Sequence, residues 1–558
     1  MKTKQSNTPL FEQFKHPYAY DPKYEKCVAY FCMEYAIHQP LKIYSGGLGF
    51  LAGSHMRSAY EMKQNLIGIG ILWRYGYYDQ IRKGDQSMDV LFLHKHYSFL
   101  KNTGIKFEIS VNNHPVMVTA YYLDPKTFGT VPMFFLSTDL PENDYLARSI
   151  CHKLYDADHS AKVAASILLG VGGAKLLDIL GHKTEIYHLN EAHALPVAFY
   201  LYQKYKNVDE VKKRMVFTTH TPEEAGNEKH DIGLLYKMDF FNGLPIEKVR
   251  EITGIEGEVF DHSLVALRMS KIANGVSKIH GDVSNKMWSK YEGICPIISV
   301  TNAQNRKYWQ DNLLHRALEQ NNLAELRKRK RVLKHRLFEV VADQTGVLLD
   351  PDVLTIVWSR RFAGYKRADL IIRDEARFNK MMNNKKHPIQ VIWAGKPYPM
   401  DFSAISTFNS LVHFSKSHPN CAVLTGYELG LSKILKLGAD VWLNTPRYPR
   451  EASGTSGMTA AMNGAVNCSI QDGWIPEFAK NGVNSFVTPK ADITLPIHEQ
   501  DHFDMKNMLD VIEHKIAPTY YDEPEKWTEI MKNSIQDVVP YFDSDRMAYQ
   551  YYEKVYSY

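Results

Sequence analysis

The hydrophobic and polar positions of this chain fall into two long series, in which short β-prone runs alternate with stretches that are apolar at helical spacing. The first series extends from Val28 to about Val300 and the second from Val353 to about Val487. Residues 27–35 (CVAYFCMEY) read as a strand, followed by the turn Tyr44-Ser45-Gly46-Gly47-Leu48-Gly49 and a helical stretch over 51–62. Residues 353–358 and 439–443 read as strands of the second series. A charged helical stretch over about 313–341 joins the two, and from about His502 the tail reads as helices ending in YYEKVYSY. Strands that alternate with helices build parallel sheets, so the pattern predicts an α/β protein with two doubly wound domains. The expected boundaries are 1–305 for the first domain, 306–345 for a helical linker, 346–500 for the second domain and 501–558 for C-terminal helices. No internal repeat or low-complexity segment interrupts this order.

Composition narrows the class. A chain of 558 residues, 44% hydrophobic and 23% charged, exceeds a single core and is ordinary for a globular enzyme. A net charge of +5 is small for this size and makes no case for nucleic acid. The densest basic run, residues 327–336, reads as a solvated helix between the domains. Cys27, Cys32, Cys151, Cys295, Cys421 and Cys468 form neither a metal-ligand spacing nor a disulfide framework, as expected in a reducing compartment. The start, MKTKQSNTPLFEQF, has no apolar leader core, and no uninterrupted apolar run approaches the roughly 20 residues that span a bilayer. A cytoplasmic protein without a membrane partner is expected, and a homo-oligomer is left open. Asp156-Ala157-Asp158 reads as a helix start, so no metal is expected. The 34 tyrosines allow sugar-stacking platforms, although most aromatics in a chain this size fill cores.

Candidate chemistry gathers in three segments. In 451–464 (EASGTSGMTAAMNG) the small residues Gly454, Thr455, Ser456 and Gly457 let backbone N–H groups approach an anion at the start of a helix over 458–463, which Gly464 is placed to end. The Gly46-Gly47 turn before its own helix is a second such cradle. Without a ligand, either is simply a glycine-rich connection. Two anion loops in opposite halves of the chain suit a ligand held between two domains. Between them in sequence, Ser359-Arg360-Arg361-Phe362-Ala363-Gly364-Tyr365-Lys366-Arg367 brings arginine forks and a lysine point charge, which suit a phosphate dianion or, in the bland reading, a solvated helix start.

Segment 451–464 resembles the active-site signature of the α-glucan (glycogen/maltodextrin) phosphorylases, in which a lysine eight residues after the Glu carries pyridoxal phosphate. Here Thr459 stands at that position. The basic segment resembles the family's phosphate-binding run: Arg361 and Lys366 match positions that grip the transferring phosphate, and Arg360 stands where a cofactor-phosphate lysine usually does. His188-Leu189-Asn190-Glu191-Ala192-His193 is similar to the family's HLNEGH strand end, and Phe217-Thr218-Thr219-His220-Thr221-Pro222 to its FTTHTP strand end. Asn274-Gly275-Val276-Ser277-Lys278-Ile279-His280, Val300-Thr301-Asn302 and Trp393-Ala394-Gly395-Lys396-Pro397 also match, although Ala303 replaces the usual glycine after the asparagine. The resemblance runs in order from Val28 to Trp474. It implies a GT-B arrangement: two Rossmann-like domains face each other across a cleft, and the C-terminal helices pack back on the first domain. The animal and plant phosphorylases are much longer, and the segments that carry their effector sites have no obvious counterpart here, so allosteric control of that kind is not expected.

The resemblance also implies roles. Phosphate would sit between Gly46-Gly47 and Arg361/Lys366, while Glu451 would hold sugar hydroxyls and the His220 segment would support the reacting centre. Asn190, His193 and Asn302 are the further sugar-side candidates. Arg360 with Gly454, Thr455 and Ser456 would hold the cofactor phosphate. A hydroxyl cannot form an imine, so Thr459 excludes covalent pyridoxal phosphate at this position, and nothing in the sequence nominates a substitute lysine. Three readings stay open. One is phosphorolysis of α-1,4-glucan with phosphate or glucose-1-phosphate and noncovalent cofactor. Another is a glycogen-synthase-like transferase that uses a nucleotide-glucose donor. The last is a catalytically silent glucan-binding protein.

Overall fold

Residues 10–558 are described by a computed structural model of the chain, so part of the segment read as lacking a leader core lies outside the described residues. Two large sheets carry the architecture. The first has nine strands. Its earliest strand, Val28–Phe31, lies inside the sheet, with Leu66–Ile71 and Met133–Ser137 following in parallel on one side. Ile186–Asn190, Met215–Thr218, Ile272–Gly275 and Ile297–Ser299 follow on the other. The second sheet has six strands, all parallel, in the order Cys421–Leu424, Ile389–Ala394, Leu354–Ser359, Val441–Asn444, Val466–Ser469, Ser485–Val487. In each sheet the chain winds outward from its first strand and then crosses to the strand's other side. That crossing opens a crevice at the C-terminal strand ends, where ligands bind in sheets of this kind. The second-sheet strands Leu354–Ser359 and Ile389–Ala394 are buried along their whole length. Helices on both faces make continuous apolar runs, rather than alternation, the favoured pattern there.

Three features depart from the sequence reading. The first sheet is extended by an antiparallel hairpin, Lys101–Val111 and His114–Leu123, turned at Asn112 and Asn113 with φ of 53° and 59°. Asparagine tolerates this left-handed backbone, so the pair makes a tight hairpin turn. The joining stretch is two helices, Asn312–Glu319 and Leu323–Thr345, and Asn322 caps the second by accepting from the Glu325 amide at 3.0 Å. The basic run on that second helix is not simply a solvated face. Lys330 and Lys334 are only 5% and 2% exposed. Lys334 Nζ lies 2.6 Å from Asp440 Oδ2 and donates to the Val353 carbonyl. Lys330 Nζ donates to the Leu437 and Asn463 carbonyls, satisfying acceptors near two helix ends.

The run His159–Leu180 is apolar on average although Lys162, Lys175 and Asp178 interrupt it. With a mean hydropathy of 1.8 it is long and apolar enough to cross a membrane, yet 83% of that window is buried inside the protein. Gly173 explains how closely it packs: a Cβ there would stand 2.6 Å from the Phe31 ring. Asp158 caps the start of this run through the Ala161 amide at 2.8 Å, so the Asp-x-Asp triplet is a helix cap.

The C-terminal helices divide between the sheets. Tyr521, on the helix Ala517–Asp522, donates to the Pro388 carbonyl and accepts from the Leu354 amide beside the second sheet. The helix Ser544–Gln550 and the final turn lie on the first: Ser544 Oγ is 2.6 Å from Ser58 Oγ, and Tyr556 Oη is 2.7 Å from His188 Nδ1.

Candidate active site

A cavity of about 710 Å³ opens where the crevices of the two sheets meet. Its walls come from the loops that follow Val28–Phe31, Ile186–Asn190, Met215–Thr218 and Leu354–Ser359, and from the loop at 451–456. Of the residues proposed from sequence, Gly46, Gly47, His193, His220, Asn302, Arg360, Arg361, Lys366, Glu451, Gly454, Thr455 and Ser456 all line it.

The Gly46-Gly47 turn is built differently from the expected free cradle. Glu34, 2% exposed, accepts from the Ser45 amide at 2.6 Å, the Gly46 amide at 3.1 Å, the Ser45 hydroxyl at 3.0 Å and the Tyr155 hydroxyl at 2.8 Å. Burial raises its pKa, and these donors oppose the rise. The Gly46 N–H is therefore already spent on a protein carboxyl. What remains for a ligand anion is the start of the helix Gly47–Glu61, which begins four residues earlier than the sequence pattern placed it.

The basic segment emerges from the strand Leu354–Ser359, and Gly395 fixes its first residue. Gly395 has φ +153°, and a Cβ there would stand 1.9 Å from the Arg360 carbonyl oxygen, which accounts for the glycine of the WAGKP motif. Arg361 is exposed into the cavity. Lys366 Nζ lies 2.9 Å and 3.2 Å from the two Glu451 carboxylate oxygens, and Arg360 Nη1 is 3.6 Å from Oε2. Burial pushes the Glu451 pKa up, but Lys366 and Arg360 outweigh it and hold the carboxyl below its ordinary value. The 451–456 loop is pinned from behind: the Glu451 amide donates to Asp472 at 2.9 Å and the Trp474 amide to the Ser453 carbonyl at 3.0 Å. Ser277, from the NGVSKIH motif, donates to the Ala452 carbonyl at 2.7 Å and so ties this loop to the first sheet's side.

On the sugar side, His220 Nε2 is 2.6 Å from Asn190 Oδ1, and burial pushes its pKa down to about 3, so the ring is neutral. Asn190 does not line the cavity. It is 1% exposed, its amide reaches back to the Cys32 sulfur, and its Oδ1 is taken by the His220 ring. Sequence reasoning passed over Glu191, which does line the cavity. Its backbone is held at φ +65°, an uncommon conformation for a non-glycine residue, and its Oε2 accepts from the His220 amide at 3.2 Å and the Thr221 hydroxyl at 3.0 Å. Burial raises its pKa to about 7. Only its place in the HLNEAH run could have flagged it.

Several polar atoms at the cavity wall are buried without a partner: Arg360 Nε and Nη2, Ser453 Oγ, His193 Nδ1 and Asn302 Oδ1. Buried polar atoms left unpaired are costly, and their convergence on one cavity points to a polar ligand. The two ends of pyridoxal phosphate fare differently against this wall. Arg360, Ser453 and the 454–456 loop fit its phosphate. Its aldehyde has no amine at Thr459, which is 1% exposed with its hydroxyl donated to the Ser456 carbonyl at 3.0 Å. The residues present do not fit a tethered cofactor.

Comparison with known proteins identifies the family. A family model described as carbohydrate phosphorylase matches residues 262–481. An uncharacterized protein of Methanocaldococcus jannaschii is 45% identical across 95% of this chain and the whole of its own length. A maltodextrin phosphorylase of Thermococcus litoralis is 33% identical, covering 96% of this chain and 71% of its own, and a glycogen phosphorylase of Aquifex aeolicus is 31% identical over 96% and 87%. The chain belongs to the carbohydrate phosphorylase family.

Proposed function

We propose that this protein is a retaining glucosyltransferase that phosphorolyses α-1,4-glucan (glycogen or maltodextrin), or runs the reaction in reverse from glucose-1-phosphate. Its two sheets would then be the Rossmann-like domains of a GT-B enzyme, with the boundaries read from sequence. The reading is carried by one observation: Gly47, His220, Arg361, Lys366 and Glu451, drawn from separate motif-matched segments, line a single cavity.

In this reading phosphate enters between Arg361, Lys366 and the start of the helix Gly47–Glu61. Phosphate near neutral pH still carries a proton. That proton passes to the glycosidic oxygen as the anomeric C–O bond breaks, and a phosphate oxygen then bonds the anomeric carbon from the same face. Arg361 and Lys366 oppose the charge that grows on the phosphate. Glu451 accepts from sugar hydroxyls and holds the ring for front-side attack. Its pairing with Lys366 means that incoming phosphate shares that lysine with the carboxylate. Neutral His220, braced by Asn190, supports the oxocarbenium-like centre through its main chain. Free thiols in all six cysteines suit a cytoplasmic location.

A second reading has its own support. The unpaired Arg360 Nε and Nη2 and Ser453 Oγ leave a second anion site beside the first, and a nucleotide-glucose diphosphate would fill both. A donor screen separates the two. Purified protein receives maltoheptaose with phosphate, or maltodextrin with ADP- or UDP-glucose, and glucose-1-phosphate and nucleotide release are read. Glucose-1-phosphate from the first mixture alone supports phosphorolysis, and nucleotide release from the second alone overturns it.

A further inference from the structure

Arg367 follows Lys366 directly, with its backbone in the left-handed region at φ +48° and the residue 1% exposed. That conformation is uncommon outside glycine and persists where the surroundings fix it. The guanidinium fork is occupied on every limb. Nε donates to the Thr445 carbonyl at 3.0 Å, Nη2 to the Pro446 carbonyl at 2.8 Å and to Asp504 Oδ2 at 2.7 Å, and Nη1 to Asp501 Oδ1 at 2.8 Å. Both aspartates stand on the helix Ile497–Val511. Asp501 also accepts from Arg447, through Nε at 3.0 Å and Nη2 at 2.9 Å. A planar fork paired with carboxylates in this way fixes direction as well as distance, so it ties the elements it joins into one relative placement.

Two of those elements meet in the cavity. Residues 365–367 end the basic segment that carries Arg360, Arg361 and Lys366, and residues 445–447 lead into Glu451. Their backbones are stapled to each other as well. The Arg447 amide donates to the Tyr365 carbonyl at 2.8 Å. The Thr445 hydroxyl accepts from Trp358 Nε1 at 2.9 Å and donates to the Lys366 carbonyl at 2.8 Å. Lys366 Nζ and the Glu451 carboxylate pair across this seam. Arg367, Arg447, Asp501 and Asp504 are not among the residues that line the cavity, so they act on it through the backbone they hold.

We propose that Arg367, held by Asp501 and Asp504, is a positioning residue that sets the register of Lys366 against Glu451 from outside the cavity. Its part in catalysis rests on the proposed function, in which Lys366 meets phosphate and Glu451 the sugar. A small shift between the two segments then moves both groups away from the reacting atoms together. Removing one aspartate leaves the buried guanidinium with one carboxylate fewer, and the fork no longer fixes the seam.

The test is acetylation by acetic anhydride without substrate, read by peptide mass spectrometry. Lys366 lines the cavity, so the small reagent reaches it, and its labelling reports how freely the amine leaves Glu451. Glu451→Gln removes the carboxylate and sets the ceiling. Asp504→Asn and Asp501→Asn should each raise Lys366 labelling at least about threefold toward that ceiling, a coupling expected within one charge network. Lys334, 2% exposed on its Asp440 pair, should label as in the parent. Lys366 labelling at the parent rate in both variants overturns the proposal. So does an equal rise at Lys334 and Lys366 in both, which would mean that the helix only holds the fold together. In the same variants kcat for phosphorolysis should fall about tenfold or more, and a parent-like kcat overturns the positioning role. A parent that releases no glucose-1-phosphate counts against the proposed function alone, because the labelling is read without substrate and still decides the register.

Discussion

Lys366 and Glu451, 85 positions apart in sequence, meet as an ion pair, with Nζ 2.9 Å from Oε2 inside the cavity. A lysine assigned to phosphate and a glutamate assigned to sugar are thus tied to each other before any substrate arrives. Glu451→Gln keeps the shape and frees the lysine. KM for phosphate should fall, because the competing carboxylate is gone, while kcat should drop by about 10²-fold as the sugar loses its charged acceptor. Steady-state kinetics that leave both constants at parent values would show that the pair is only structural.

The clamp itself is tested by Arg361→Ala and Lys366→Ala. Removing one charge aimed at a developing phosphate should cost about 2–4 kcal/mol in the barrier, roughly 30- to 1000-fold in rate. Arg361 is exposed to the cavity and leaves no buried partner, so its variant should keep the parent Tm. Parent-like turnover in both variants removes the assignment.

Glu191 should write its own signature in pH. Its folded pKa of about 7 lies above the ordinary carboxylate value. The folded state therefore holds the proton more tightly than the unfolded chain does. The stabilisation this brings is complete below the ordinary glutamate range and is lost as pH rises through about 7. Across that window the parent's Tm should fall relative to Glu191→Gln, which cannot titrate. KM for phosphate should also rise above neutrality in the parent, where a further anion appears in the cavity, and stay flat in the variant. Parallel pH curves for the two proteins would place the titration elsewhere.

Asp440 tests the joining helix. Its carboxylate is 4% exposed and answers Lys334 at 2.6 Å. Asp440→Ala strands a buried ammonium and should cost about 3–5 kcal/mol in urea unfolding. A cost near that of a surface pair, under about 1 kcal/mol, would show that Lys334 escapes to solvent.

How much of this was legible in the sequence depended on whether a residue's task was local. Strand, glycine turn and helix start are neighbours in the chain, so both glycine loops and the basic segment could be placed from pattern alone. Partners across the fold could not. Glu34 stands eleven residues before the Ser45 amide it captures, inside a run that reads only as strand, and it spends the Gly46 N–H that the turn was expected to offer. Asn190 looked like a sugar ligand because its motif does, but its side chain turns to His220. Lys330 and Lys334 looked solvated because their neighbours are charged, while carbonyls and Asp440 lie beneath them. Thr459 was visible as a missing lysine, but that its hydroxyl is buried and spent on the Ser456 carbonyl was not.

The proposed function makes phosphate the partner of glucosyl transfer, with the anomeric configuration retained. Phosphorus NMR of purified protein with maltoheptaose and inorganic phosphate tests it most directly. A growing signal of α-glucose-1-phosphate is expected as the glucan shortens, slowed at least about 30-fold by Arg361→Ala. A spectrum that stays unchanged while the same preparation releases nucleotide from ADP- or UDP-glucose, or one in which the β-anomer accumulates, would contradict it.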